Sequence, residues 1–115
     1  VAATAATGNV AAGANVPMTQ FAPTSTGITW SGTVATVNVA GIYQITIFGR
    51  PIDDTNIGVS INGAAPLARY AVGIQGEDDY TSITFIVQLN AGNTLALRNV
   101  ATTRNFSPFS SPGIG

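Results

Sequence analysis

The chain has 115 residues, with no Cys, no His and no Lys, and its four Arg stand against five acidic residues for a net charge of −1. The length bounds it to one domain, the missing cysteines exclude a disulfide framework, and four scattered Arg exclude the basic stripe that nucleic acid requires. Only 8% of residues are charged while 45% are hydrophobic, against roughly a quarter charged in ordinary soluble domains. Such a surface is expected to be covered partly by copies of the same chain and partly by uncharged Ser, Thr, Asn and Gly.

Residues 1–14, VAATAATGNVAAGA, carry Ala at helical propensity, but Gly8 and Gly13 interrupt the run and no apolar stripe at helical spacing forms. The expected element is a weak strand over Thr7–Ala12 behind a loose start. Val16 precedes Pro17 and is biased to extended geometry. Phe21–Gly27 reads as a loop, Gly27–Trp30 as a short strand, and Ser31-Gly32 as a turn. Thr33–Val39 alternates, with Ala35, Val37 and Val39 on one face. Gly41–Pro51, GIYQITIFGRP, is rich in β-branched and aromatic types, and both of its ends are punctuated. Nearly every position suits burial on one face or the other, which predicts a central strand.

Asp53–Asn56 is a polar connection, and Ile57–Ile61 a strand with Ile57, Val59 and Ile61 facing one way. Asn62-Gly63 is the strongest short hairpin signal, since a type I′ turn wants positive φ at both central residues. Leu67–Ile74 is expected to run back as its partner. Gln75–Asp79 is a charged loop, Tyr80–Leu89 the second long strand, Asn90–Asn93 a turn, and Thr94–Val100 a strand with Leu95, Leu97 and Asn99 on one side. Ala101–Gly115, rich in Ser, Thr, Pro and Gly, reads as a loop or an irregular end. The total is about eight short strands with closely spaced turns, the pattern of an all-β sandwich or jelly roll. No segment has the length of a membrane span, and no charged region leads into an apolar core as in a signal peptide. The start at Val1 without Met suggests a fragment or processed piece.

From Gly27 onward the order of signals is more specific: ITW at 28–30, VATVNVAGIYQITIFG at 34–49, VSING at 59–63 and QLNAGNTLAL at 88–97. This resembles the tumour-necrosis-factor-like (TNF-like) heads that cap collagenous stalks, above all the C-terminal domain of bacterial collagen-like glycoproteins of the spore exosporium. The resemblance covers roughly Asn15 to Gly115. It implies a TNF-like jelly-roll β-sandwich that forms a homotrimer, binds no cofactor, carries no catalysis, and nucleates a collagen triple helix at the spore surface. Receptor-binding heads of phages and adhesins share the general shape, so a glycan or a host-surface protein stays open as a ligand. Such heads end in a final apolar strand. Here that strand is expected to be cut short, or replaced by Phe106–Ile114; if it is missing altogether, a sheet edge beside the long central strands is left open.

The chemistry is sparse. Without His, Cys or Lys the usual general base, thiolate nucleophile, transition-metal ligands and Schiff-base amine are absent. Asp53-Asp54 and Glu77-Asp78-Asp79 are the acidic clusters; they suit calcium oxygen-ligation or, more simply, solvated turns. Trp30, Tyr70 and Tyr80 are candidates for stacking a sugar, because their rings join an apolar face to a polar tip; core packing is the plainer alternative. Tyr43, Phe85 and Arg98 are the candidate trimer contacts. A charge in an apolar seam must be paired, so Arg98 is expected either to meet an acidic loop of another copy or to lie along its own surface.

Overall fold

The computed structural model of the chain describes residues 3–5, 8–20, 26–49, 55–74, 81–100, 104–106 and 113–114. Among them, twelve strands follow in chain order: β1 (Ala3–Ala5), β2 (Gly8–Val10), β3 (Met18–Gln20), β4 (Ile28–Ser31), β5 (Val34–Val37), β6 (Gly41–Gly49), β7 (Thr55–Ile61), β8 (Ala71–Ile74), β9 (Thr81–Leu89), β10 (Thr94–Asn99), β11 (Arg104–Phe106) and β12 (Gly113–Ile114). One 3-10 turn, Ala68–Tyr70, precedes β8. Two five-stranded sheets result, in the orders β3-β1-β12-β6-β9 and β4-β5-β10-β7-β8, with β11-β2 as a small third pair.

The longest pairing joins β6 to β9 over all nine residues, from Gly41 opposite Leu89 to Gly49 opposite Thr81. Opposite residues of an antiparallel pair share a face, so Ile45 and Ile47 turn inward together with Phe85 and Ile83. They meet Ala35 and Val37 of β5, Ile57 and Val59 of β7, and Leu95 and Leu97 of β10. Val16 and Met18 add to the same core. Asn99, also fully buried, donates from Nδ2 to the Val10 carbonyl at 2.8 Å. Burial without such a partner would cost about 1–3 kcal/mol.

The N-terminal third is more regular than its sequence predicts. Ala3–Ala5 is already a strand, held between β12 and β3. Residues 13–16 continue the edge that β5 leaves on β10: Gly13 N–H donates to the Asn99 carbonyl at 2.7 Å, and Val16 N–H to that of Leu97 at 2.7 Å. The expected irregular end contains β11, paired with β2, and β12, paired with Ile47 and Phe48 of β6. Among the described residues, the place of the final strand is held by Gly113–Ile114.

Two other expectations are met in part. Asn62 and Gly63 do take positive φ, 54° and 77°, and Ala64 N–H closes the turn on the Ile61 carbonyl at 3.1 Å. The chain nevertheless does not return at once; β8 first pairs at Ala71, opposite Gly58. Pro66 cannot donate to a ladder. Residues 64–67 instead fold over β7, with Ser60 Oγ donating to the Ala64 carbonyl at 2.7 Å. This fold-over buries Gly58 and Ser60, so β7 is covered on both faces. β6 is a central strand as expected, between β12 and β9, but only one of its faces is covered: Ile42 and Gln44 are exposed.

A Cβ built on Gly58 would stand 2.7 Å from Pro66 Cβ and 3.0 Å from Ala71 Cβ. Gly58→Ala is therefore expected to destabilise the domain by about 1–3 kcal/mol, the range for overpacking a filled site. A urea melt checks this, and an unchanged midpoint would show that the 64–67 segment yields freely.

Candidate functional site

The strongest surface feature follows from the one-sided cover of β6 and β9. Their outward face is made by Ile42 opposite Gln88, Gln44 opposite Ile86 and Thr46 opposite Thr84. Ile42 is 76% exposed and Ile86 68%. The two isoleucines sit diagonally across the strand pair, each opposite a glutamine, so apolar and amide side chains form a checkerboard. None of these residues is ionisable. Thr46 and Thr84 hydroxyls hydrogen-bond to one another at 2.9 Å, which fixes that end of the face. A glutamine amide both donates and accepts, so a second surface of the same kind can satisfy it. Fully burying an Ile is worth about 1.5–3 kcal/mol. Two per protomer are a useful but incomplete driving force once association costs are met.

A second concavity, about 150 Å³, is lined by Val59, Ile61, Ala64, Ala65, Leu67 and Tyr70. It is smaller than the roughly 300–1,000 Å³ of small-molecule sites, and its lining offers no charged group to orient a ligand.

The aromatic candidates do not assemble into a platform. Tyr70 is buried; its ring lies 4.5 Å from that of Phe85, and the Arg69 guanidinium sits 4.8 Å from its centroid. Trp30 is half-buried on β4, packed against the core, with its indole N–H enclosed and without a protein partner. Tyr80 lies outside the described residues, as do all five carboxylates of the two acidic clusters.

The candidate trimer contacts Tyr43, Phe85 and Arg98 do not lie on the outward face of β6 and β9. Tyr43 and Phe85 are on the inward face and pack against the core; the Tyr43 hydroxyl donates to the Val39 carbonyl at 2.5 Å. Their strand neighbours Ile42 and Ile86 hold the outward positions. Arg98 is half-buried and serves its own chain. Its Nε donates to Asn15 Oδ1 at 3.2 Å, and Nη1 reaches the carbonyls of Gly63 and Ala64, both at 3.4 Å. It thus ties the N-terminal segment to the loop that covers β7. The outward isoleucines were signalled in the sequence, because each shares a strand face with Gln, Thr or Ser.

No protein-family model matches the chain, and no curated protein sequence matches it. Among solved structures, it is similar to Eiger TNF from S. frugiperda, at 20% identity and TM-score 0.62, over 99% of this chain and 90% of that one. Murine APRIL at pH 5.0 is 15% identical with TM-score 0.61, over 98% and 95%. Pika GITRL is 14% identical with TM-score 0.56, over 99% and 94%. The fold is a TNF-like jelly roll.

Arg98→Ala is expected to lower stability by about 1 kcal/mol, as its hydrogen bonds are few, long and partly solvated, and to leave the mass of any assembly unchanged. Denaturant melts with light scattering on the same sample check both; a drop in assembly mass at unchanged stability would return Arg98 to a contact between copies.

Proposed function

We propose that this chain is a non-catalytic trimerisation head of a collagen-like glycoprotein of the bacterial spore surface. It lies outside the cell, and its work is to hold three chains together and present an outer surface. The observation that carries the reading is the uncharged outward face of β6 and β9, with Ile42 76% and Ile86 68% exposed. The TNF-like fold, the charge content of 8% and the sequence resemblance to stalk-capping heads support it. The absence of His, Cys and Lys from the sequence supports a role without acid–base or nucleophilic chemistry.

The mechanism is geometric. Three copies turn the same face toward a common axis in closed cyclic symmetry, so that each isoleucine leaves water and no charge is trapped. Three chains joined at one end are held in register. A collagen helix needs that register because Gly must fall at every third place along its axis.

Sedimentation at low micromolar concentration tests this. The native chain is expected to sediment as three copies. The double variant Ile42→Asp, Ile86→Asp is expected to sediment as one copy while keeping its β-rich circular dichroism, because both side chains are already exposed in the single chain. A native monomer, or a double variant that stays trimeric, overturns the reading.

A further inference from the structure

A closed ring of three puts a condition on the bare face of β6 and β9. A two-fold pair can match a patch with itself, but each contact in a ring joins two different patches of successive copies. Ile42 on that face therefore needs a second, unlike surface to receive it. Among the described residues the large exposed apolar side chains are Val39, Ile42, Leu67 and Ile86. Leu67 borders the hollow of about 150 Å³ between Val59, Ile61, Ala64, Ala65 and Tyr70.

Local geometry makes this hollow. Tyr70 is drawn inward to stack on Phe85, with 4.5 Å between ring centroids. Pro66 lies against Gly58, and the residues before it, Ala64 and Ala65, offer only a methyl group each. Space is left between the crossing loop and Ile61. No charged side chain lines it; Arg69, adjacent in sequence, has its guanidinium 4.8 Å from the Tyr70 ring centroid. An apolar cavity of about 150 Å³ takes up benzene, and an isoleucine side chain is smaller than that.

Knob and hollow lie at the same end of the sandwich. Residues 90–93 carry β9 into β10 within one turn, closed by Asn93 N–H on the Asn90 carbonyl at 3.1 Å. On one side of that turn Leu89 stands opposite Gly41; on the other Leu95 stands opposite Ile61. Ile42, next to Gly41, and Ile61, the last residue of β7, are thus at one height. Rotation about an axis along the strands preserves height, so Ile42 of one copy comes level with the hollow of the next. Ile86, opposite Gln44, stands about 7 Å further from that end.

We propose that the hollow beside Leu67 is the socket for Ile42 of the neighbouring copy, an inference that rests on the trimer reading and names the surface which receives its bare face. Each contact in the ring then joins β6 and β9 of one chain to the 64–70 corner of the next. Neither Ile42 nor the socket lining carries a charge, so seating the one in the other strands no ion. Leu67, 49% exposed in the single chain, is covered by the same contact.

The chain has no cysteine, so introduced thiols report on this contact alone. Ile42→Cys and Ala65→Cys are made as separate chains, refolded together and oxidised gently. A disulfide needs its two Cα atoms within about 7 Å. The mixture is expected to form a disulfide between one chain of each kind, while either chain by itself stays reduced. A second variant, Ala65→Phe, fills the hollow from within its own chain at an exposed position. Its trimer is expected to dissociate about tenfold more readily, with circular dichroism unchanged. Suppose the native chain sediments as three copies, yet the mixture stays reduced, Ile42→Cys chains join one another, or Ala65→Phe assembles as the native chain does. Any of these overturns the socket and leaves the trimer standing, whereas a native monomer overturns both.

Discussion

The nine-residue ladder between β6 and β9 sets most of what this domain is. It brings Ile45, Ile47, Ile83 and Phe85 to one side, where the facing sheet closes over them with Val37, Val59 and Leu97. The period of two then leaves no choice about the rest: Ile42, Gln44, Ile86 and Gln88 must stand on the opposite side. No element of the described structure lies over that side. This long strand pair carries isoleucine on both faces, and the described residues cover one of them.

The second sheet solves the same problem internally. β7 has no free face because residues 64–67 fold back across it, Pro66 lies against Gly58, and Ser60 Oγ holds the Ala64 carbonyl. Arg98 reaches that loop and Asn15 together. The contrast is informative. One sheet spends a loop and an arginine on covering itself; the other presents an uncharged surface. That asymmetry suits a subunit whose bare face meets copies of itself.

Much of the fold was legible in the residues because period-two alternation is a direct readout of which side of a sheet is wet. The strands at 34–37, 41–49, 57–61, 81–89 and 94–99 were all anticipated, as was the inward set Ile57, Val59, Leu95, Leu97 and Asn99. At the termini the strand over Thr7–Ala12 was anticipated and is β2, whereas β1, β11 and β12 were not, since short strands of Ala, Thr and Gly acquire their geometry from tertiary partners rather than from propensity. The return after Asn62-Gly63 was misread because a turn fixes four residues and not the path beyond them; Pro66 decided the path. The orientation of the candidate side chains was harder to read for a related reason. Aromatic rings draw attention as ligand platforms, yet Tyr70 and Phe85 stack on one another inside, where large apolar area is worth most. The exposed Ile42 and Ile86 are one position away from Tyr43 and Phe85, and a shift of one residue along a strand exchanges inside for outside.

The central claim is that the outward face of β6 and β9 is dry in the working assembly. Methyl signals of Ile42 and Ile86, read by NMR with a soluble nitroxide in the buffer, address it directly. The account predicts that both methyls are shielded at working concentration and become as accessible as the exposed Val39 on dilution, while Ile47 stays shielded throughout. Broadening of Ile42 and Ile86 equal to that of Val39 at every concentration would contradict it.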